Sequence, residues 1–116
     1  MNDLELVRRL QSVAAAEAGL KSVRELLAHD HEQRKAKFRD SIIYVARTKT
    51  DITLEQIGEM FGARHHTTIL GAVRREKARL QRHPLRKDGR TWPEWHEYLY
   101  NKAVGEAPKP AVGVAP

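Results

Sequence analysis

Adjacent histidines stand at positions 65 and 66, between Arg64 and the pair Thr67-Thr68, in the run Gly62-Ala63-Arg64-His65-His66-Thr67-Thr68-Ile69-Leu70. Side chains of these types can ligate a metal, serve as a catalytic base or read the edges of nucleic-acid bases. Neighbouring helical positions point about 100° apart, whereas two metal ligands on one helix stand three or four residues apart. His65 and His66 therefore make a poor metal pair, with His29 and His31 beside Asp30 only weaker candidates, and no metal or cofactor is expected. No serine, cysteine or carboxylate stands where it would make either histidine a catalytic base, so no enzyme activity is expected. Base reading fits the residue types best. Arginine binds guanine through two hydrogen bonds, imidazole donates or accepts, and a threonine methyl packs on the methyl of thymine.

Such residues need a helix start to hold them, and the flanking sequence supplies one. Thr53 with Gln56 forms a capping-box pattern that opens a short helix through Ile57, Met60 and Phe61. Gly62 is placed to stop it, because glycine readily takes the left-handed conformation at a helix C-terminus. A further helix starts near 64–66 and runs to about Arg82, with Ile69, Leu70, Val73 and Leu80 as its apolar face. Two short helices joined at a glycine make a helix-turn-helix pattern, in which the N-terminal end of the second helix enters the major groove. Residues there should be short or medium polar groups that reach base edges and the nearest phosphates, and Arg64, His65, His66, Thr67 and Thr68 fit that demand.

The rest of the chain also reads as helix. Residues 3 to about 18 place Leu6, Leu10, Val13 and Ala14 at helical spacing, capped by Asn2 or Asp3 and stopped at Gly19. Ser22 with Glu25 opens a short helix ending in Leu26-Leu27, and residues 29–37 are polar and read as a loop running into a helix. Phe38, Ile42, Val45 and Ala46 give that helix its apolar face. Thr91 with Glu94 opens a last short helix bearing Trp92, Trp95, Tyr98 and Leu99, while 105–116, rich in Ala, Pro, Gly and Val, is expected to be disordered. The fold class is all-α.

The 116 residues carry a net charge of +6, unevenly spread. Residues 34–49 hold six basic and one acidic side chain, and 64–90 hold nine and two, on either side of an acidic stretch. Segregated positive charge suits a polyanion, because each neutralised phosphate releases counterions. The absence of cysteine excludes disulfides and thiolate metal sites and fits a reducing compartment. No apolar run approaches membrane-spanning length and the N-terminus lacks a secretory pattern, so a cytoplasmic, nucleoid-associated protein is expected.

The segment Thr53-Leu54-Glu55-Gln56-Ile57-Gly58-Glu59-Met60-Phe61-Gly62-Ala63-Arg64-His65-His66-Thr67-Thr68-Ile69-Leu70 closely resembles the signature S-L-P-E-I-G-x-x-F-G-G-R-D-H-T-T-V-L. That signature belongs to the C-terminal DNA-binding domain (domain IV) of the bacterial replication initiator DnaA, and the resemblance covers roughly residues 4–80. It implies a small helical, Trp-repressor-like domain that binds a short asymmetric duplex site, with a basic loop at the neighbouring minor groove. It further implies that His66 and Thr67 contact bases and Thr68 a phosphate, that Arg39 matches an arginine that binds DNA, and that Arg75 stands where a lysine often faces the backbone. The expected base readers are therefore Arg64, His65, His66 and Thr67, and the expected phosphate contacts Thr68, Arg39, Arg75 and the neighbouring Arg74. Arg34, Lys35 and Lys37 are its candidates for the basic loop. His65 stands in place of an aspartate, Glu55 in place of a proline, and Gly71 in place of a larger polar residue. Nothing resembles a P-loop, so a DNA-binding module standing alone is expected, in a bacterial, phage or plasmid setting.

These readings divide the chain into a DNA-binding domain at 1–83, an aromatic C-terminal extension at 84–104 and a tail at 105–116. Double-stranded DNA is the expected partner, bound to regulate transcription or replication initiation. The aromatic stripe Trp92, Trp95, Tyr98 and Leu99 is at helical spacing and is expected to pack back on the domain. Two other readings stay open: a protein-interaction or homodimer module using those four residues, and a nonspecific nucleic-acid binder driven by the basic blocks.

Overall fold

A computed structural model describes residues 1–105 of the chain as six helices. They are α1 (Asp3–Glu17), α2 (Val23–Leu27), α3 (Gln33–Lys49), α4 (Leu54–Met60), α5 (His66–Arg82) and α6 (Trp92–Ala103). The all-α reading holds, and the disorder expected of 105–116 falls, beyond Gly105, outside the described residues.

Local chemistry sets the helix starts. Asn2 accepts the Glu5 N–H at 2.8 Å to open α1. Thr53 and Gln56 form a reciprocal capping box at α4, and Thr91 with Glu94 does the same at α6, with Pro93 in its first turn. Caps of this kind each contribute about 1 kcal/mol. At α2 the box is incomplete: Ser22 accepts the Glu25 N–H, but the Glu25 carboxylate reaches past it to the Lys21 N–H. The polar run expected as a loop to residue 37 is shorter, because the Glu32 carboxylate accepts the Lys35 N–H at 3.1 Å and starts α3 at Gln33. Arg34, Lys35 and Lys37 therefore lie in the first turns of α3 and not in the 28–32 loop.

Apolar stripes from every helix meet in one core. Leu10, Leu26, Ile42, Ile57, Phe61, Ile69 and Leu99 are fully enclosed, and burying such a side chain is worth about 1.5–3 kcal/mol. Helix α6 joins this core, with Trp95 and Leu99 buried. The helix thus packs back on the domain as expected, and of the four residues named for the alternative of a partner surface Trp95 and Leu99 lie in the interior. Trp92 and Tyr98 are only half-buried.

A polar network crosses the same core. Glu76 of α5 is fully buried, and its carboxylate takes hydrogen bonds from Ser41 (2.6 Å), Arg79 (2.8 Å) and His96 (2.7 Å). The Ser41 hydroxyl in turn accepts from the Trp95 indole at 3.1 Å. One residue away on α3, buried Asp40 receives two bonds from Arg75 and one from Arg79, all 3.0 Å. Removing one partner of a buried ion pair leaves the other uncompensated, at a cost of about 3–5 kcal/mol, so the network fixes how α5 lies on α3 and α6.

Burial pushes the Glu76 carboxyl up, but the bonds from His96, Ser41 and Arg79 together outweigh it and hold the group below its ordinary value of 4.5. A carboxylate depressed in the folded state contributes stability that is complete above the unfolded value and is lost as pH falls through the folded one. Thermal melts from pH 7 to pH 3 should show this loss below about pH 4.5 in the wild type. Glu76→Gln is expected to be less stable at pH 7 and to lose less over the same interval; identical acid slopes would count against the assignment.

Candidate nucleic-acid interface

The corner between α4 and α5 is tighter than a loose connection. The Arg64 N–H donates to the Gly58 carbonyl at 2.8 Å. A Cβ on Gly58 would lie 2.1 Å from the Arg64 carbonyl oxygen, so only glycine lets the turn pass this close. Gly62 and Ala63 follow with φ of +76° and +57°. Two successive left-handed residues reverse the chain, and Ala63, where the quoted signature has glycine, adopts a conformation that disfavours a Cβ.

Arg64, expected at a base, is turned inward. Its guanidinium donates to the carbonyls of Phe61 (2.5 Å), Leu27 (3.0 Å) and Ala28 (3.2 Å). It thus joins the C-terminal ends of α2 and α4. Burial holds its pKa below the ordinary arginine value, as it does for Arg39. Arg39, expected at a phosphate, is likewise buried and donates to the Leu26 carbonyl at 2.7 Å. His29 adds a third tie, its Nε2–H donating to the Gly62 carbonyl at 2.7 Å. An arginine is selected for such a role by its planar fork of donors.

The N-terminal turn of α5 carries the remaining base-reading candidates. His65 is the N-cap: its Nδ1 accepts the Thr67 N–H at 3.2 Å, with the Thr67 hydroxyl 2.8 Å away. Its carbonyl takes the Thr68 N–H at 2.9 Å. The Thr67 and Thr68 amides at this helix start are therefore occupied within the turn. His65, Thr67 and Thr68 are exposed, and His66 is half-buried with its ring 4.2 Å from that of His65. A neutral imidazole that accepts at Nδ1 carries its proton on Nε2, and that edge is left to donate outward.

Around this turn the charged candidates divide by their partners. Arg74 is exposed. Arg75 is held by Asp40 yet its side chain remains 55% exposed, so one edge of the fork faces outward in a fixed direction. Its hydrogen bond to Asp40 raises its pKa. Lys35 is tied to Asp30 at 2.8 Å, whereas Arg34 lies over the Phe38 ring and Lys37 is exposed. Sequence reasoning missed Asp40 and Glu76. Glu76 had a readable signal, since it stands seven residues after Ile69 and four after Ala72, on the apolar stripe of α5. Asp40 had none, because its arginine partners lie 35 and 39 residues away.

Residues 7–75 match the family described as bacterial DnaA protein helix-turn-helix. The chromosomal replication initiator proteins DnaA of Caulobacter sp. and Caulobacter vibrioides are each 36% identical over 69 residues, covering 60% of this chain and 14% of each relative. That of Picosynechococcus sp. is 36% identical over 56 residues, covering 48% of this chain and 12% of the relative. The chain thus spans about a seventh of the length of the Caulobacter relatives. The matched region takes in both left-handed residues and the start of α5, and it ends one residue before Glu76.

The corner yields two opposite expectations. Gly58→Ala should destabilise by about 3 kcal/mol, at the upper end of overpacking costs, because its neighbour is backbone. Ala63→Gly should stabilise by about 0.5–1 kcal/mol by relieving the left-handed strain, discounted for unfolded-state entropy. Urea denaturation of the two variants checks both signs.

Proposed function

The chain belongs to the bacterial DnaA helix-turn-helix family, and we propose that it binds double-stranded DNA at a specific site through the N-terminal turn of α5 in the major groove. The observation that carries this reading is the exposed His65–Thr68 turn, braced from behind by α4 and by the inward-facing Arg64. The family is a binding module and not a catalytic one, so the protein is no enzyme. Residues 1–83 form the reading unit, and 84–104 are an extension that braces it.

In this reading His65, His66 and Thr67 contact base edges, while Thr68, Arg74 and Arg75 bind phosphates. Arg64 and Arg39 act as positioning residues, through the carbonyls they hold. Arg34 and Lys37 lie toward the adjacent groove from the start of α3, with Lys35 restrained by Asp30. The Nε2–H of His65 faces an acceptor, such as N7 or O6 of guanine, whereas the aspartate of the family signature can only accept, as from the amino group of cytosine or adenine. The site read by this chain therefore differs from the family's at that base. Occupying such sites would regulate transcription or replication initiation.

Selection from random duplex DNA tests the proposal. The wild type should enrich a sharp motif, and Thr67→Ala should lose preference at one position, worth about 1–3 kcal/mol. His65→Asp keeps an N-cap of good type and should move one base from acceptor to donor while the remaining positions hold. An unenriched pool with steep salt dependence would reduce the activity to nonspecific binding, and no binding at low salt would favour a protein-interaction module.

A further inference from the structure

Outside the helix-turn-helix, a hollow of about 440 Å³ opens between the first turns of α3, the end of α5 and the connection to α6. Five of its eleven lining residues are Lys or Arg and none is acidic. Arg79 and Arg86 are committed to carboxylates, Arg79 to Asp40 and Glu76 and Arg86 to Asp88. Arg34, Lys37 and Lys87 have no carboxylate partner among the described residues.

The connection itself is a built turn. The Gly89 N–H donates to the Arg86 carbonyl at 3.0 Å, the Arg86 N–H donates to the Arg90 carbonyl at 2.8 Å, and Leu85 bridges Thr91. Gly89, at φ +90°, closes it. Both ends are anchored on α6, because the Arg86 guanidinium lies 3.7 Å from the Trp95 ring centroid and that of Arg90 lies 4.4 Å from Tyr98. Asp88 is answered by Arg86 and Arg90. The exposed apex residue, Lys87, is therefore held in place with its charge uncompensated.

Cations gathered round a concavity repel one another and focus a positive potential, which attracts a polyanion. A smaller hollow shares Lys37 and Arg79 with this one and is lined also by His31, Arg75 and the carboxylates Asp30 and Asp40, which Lys35, Arg75 and Arg79 answer. The larger hollow thus adjoins the face on which α5 presents Arg75. Residues 86–89 and α6 lie outside the matched region, so this feature is additional to the family's module.

We propose that the 86–89 turn is a second backbone contact for duplex DNA, in which Lys87, with Lys37 and Arg34 across the hollow, binds phosphodiester oxygens beyond the site read by α5. This rests on duplex binding by the helix-turn-helix. The test measures affinity against salt concentration for the full chain and for Lys87→Ala, with Arg8→Ala as an equal loss of charge on α1. Lys87→Ala should lower the slope of log K against log salt by about 1 and weaken binding alike for matched and unrelated duplexes, while Arg8→Ala leaves the slope unchanged. Hydroxyl-radical footprints should show backbone protection outside the selected motif that Lys87→Ala loses. An unchanged slope and footprint in Lys87→Ala, with the wild type still bound at its motif, overturns the backbone contact alone. Failure of the wild type to bind any duplex overturns both readings.

Discussion

Two short helices, α2 and α4, end side by side, and their last carbonyls have no successor turn to bond them. Unsatisfied buried carbonyls are costly, and the fold answers with two arginines. Arg39 serves Leu26, and Arg64 serves Leu27, Ala28 and Phe61. Because the same guanidinium caps both helix ends, the angle at which α5 leaves the corner is tied to the position of the 28–32 loop. Gly58 makes the arrangement sterically possible, and His29 closes it from the other side. The residues available to DNA owe their placement to groups that face the interior.

The second fixture lies about three turns along α5 from its start, at Glu76. Glu76 and Asp40 put two carboxylates into a largely apolar core. Glu76 is matched by donors from α3, α5 and α6, and Asp40 of α3 by two arginines of α5, so neither can move without stranding a charge. Asp40 also sets the direction of Arg75, which is half-exposed and turned toward the DNA side in the proposed reading. In that reading stability and recognition share these side chains.

Much of this was legible beforehand, for identifiable reasons. Helix starts were read from Thr53, Thr91 and Asn2 because capping is local, involving residues three apart. The corner was read from Gly62 because a left-handed residue announces itself. The inward bonds of Arg64 and Arg39 are not legible in the sequence, because an arginine near a helix-turn-helix has the same appearance whether it faces outward or meets a carbonyl 13 to 37 residues away. The extent of the α3 loop was overestimated because Glu32 is a less common cap than serine or threonine. The helical spacing of Trp95 and Leu99 marks a face of α6 that packs back on the domain, but which surfaces of α1 and α3 it covers is not encoded within α6.

The place of α6 in the core separates two meanings of the word domain. Judged by resemblance, the recognisable unit stops at residue 75. Judged by packing, the unit runs to Ala103, since Trp95, Leu99 and Ala103 belong to the same apolar cluster as Leu10 and Ile42. A cut placed at the end of the matched region would bisect α5 and remove Glu76, Arg79 and His96 together, leaving Ser41 without the carboxylate it bonds. Recombining this module with relatives must therefore follow the boundary of the core, and any chimera that borrows only the aligned segment inherits an exposed seam where α6 had been.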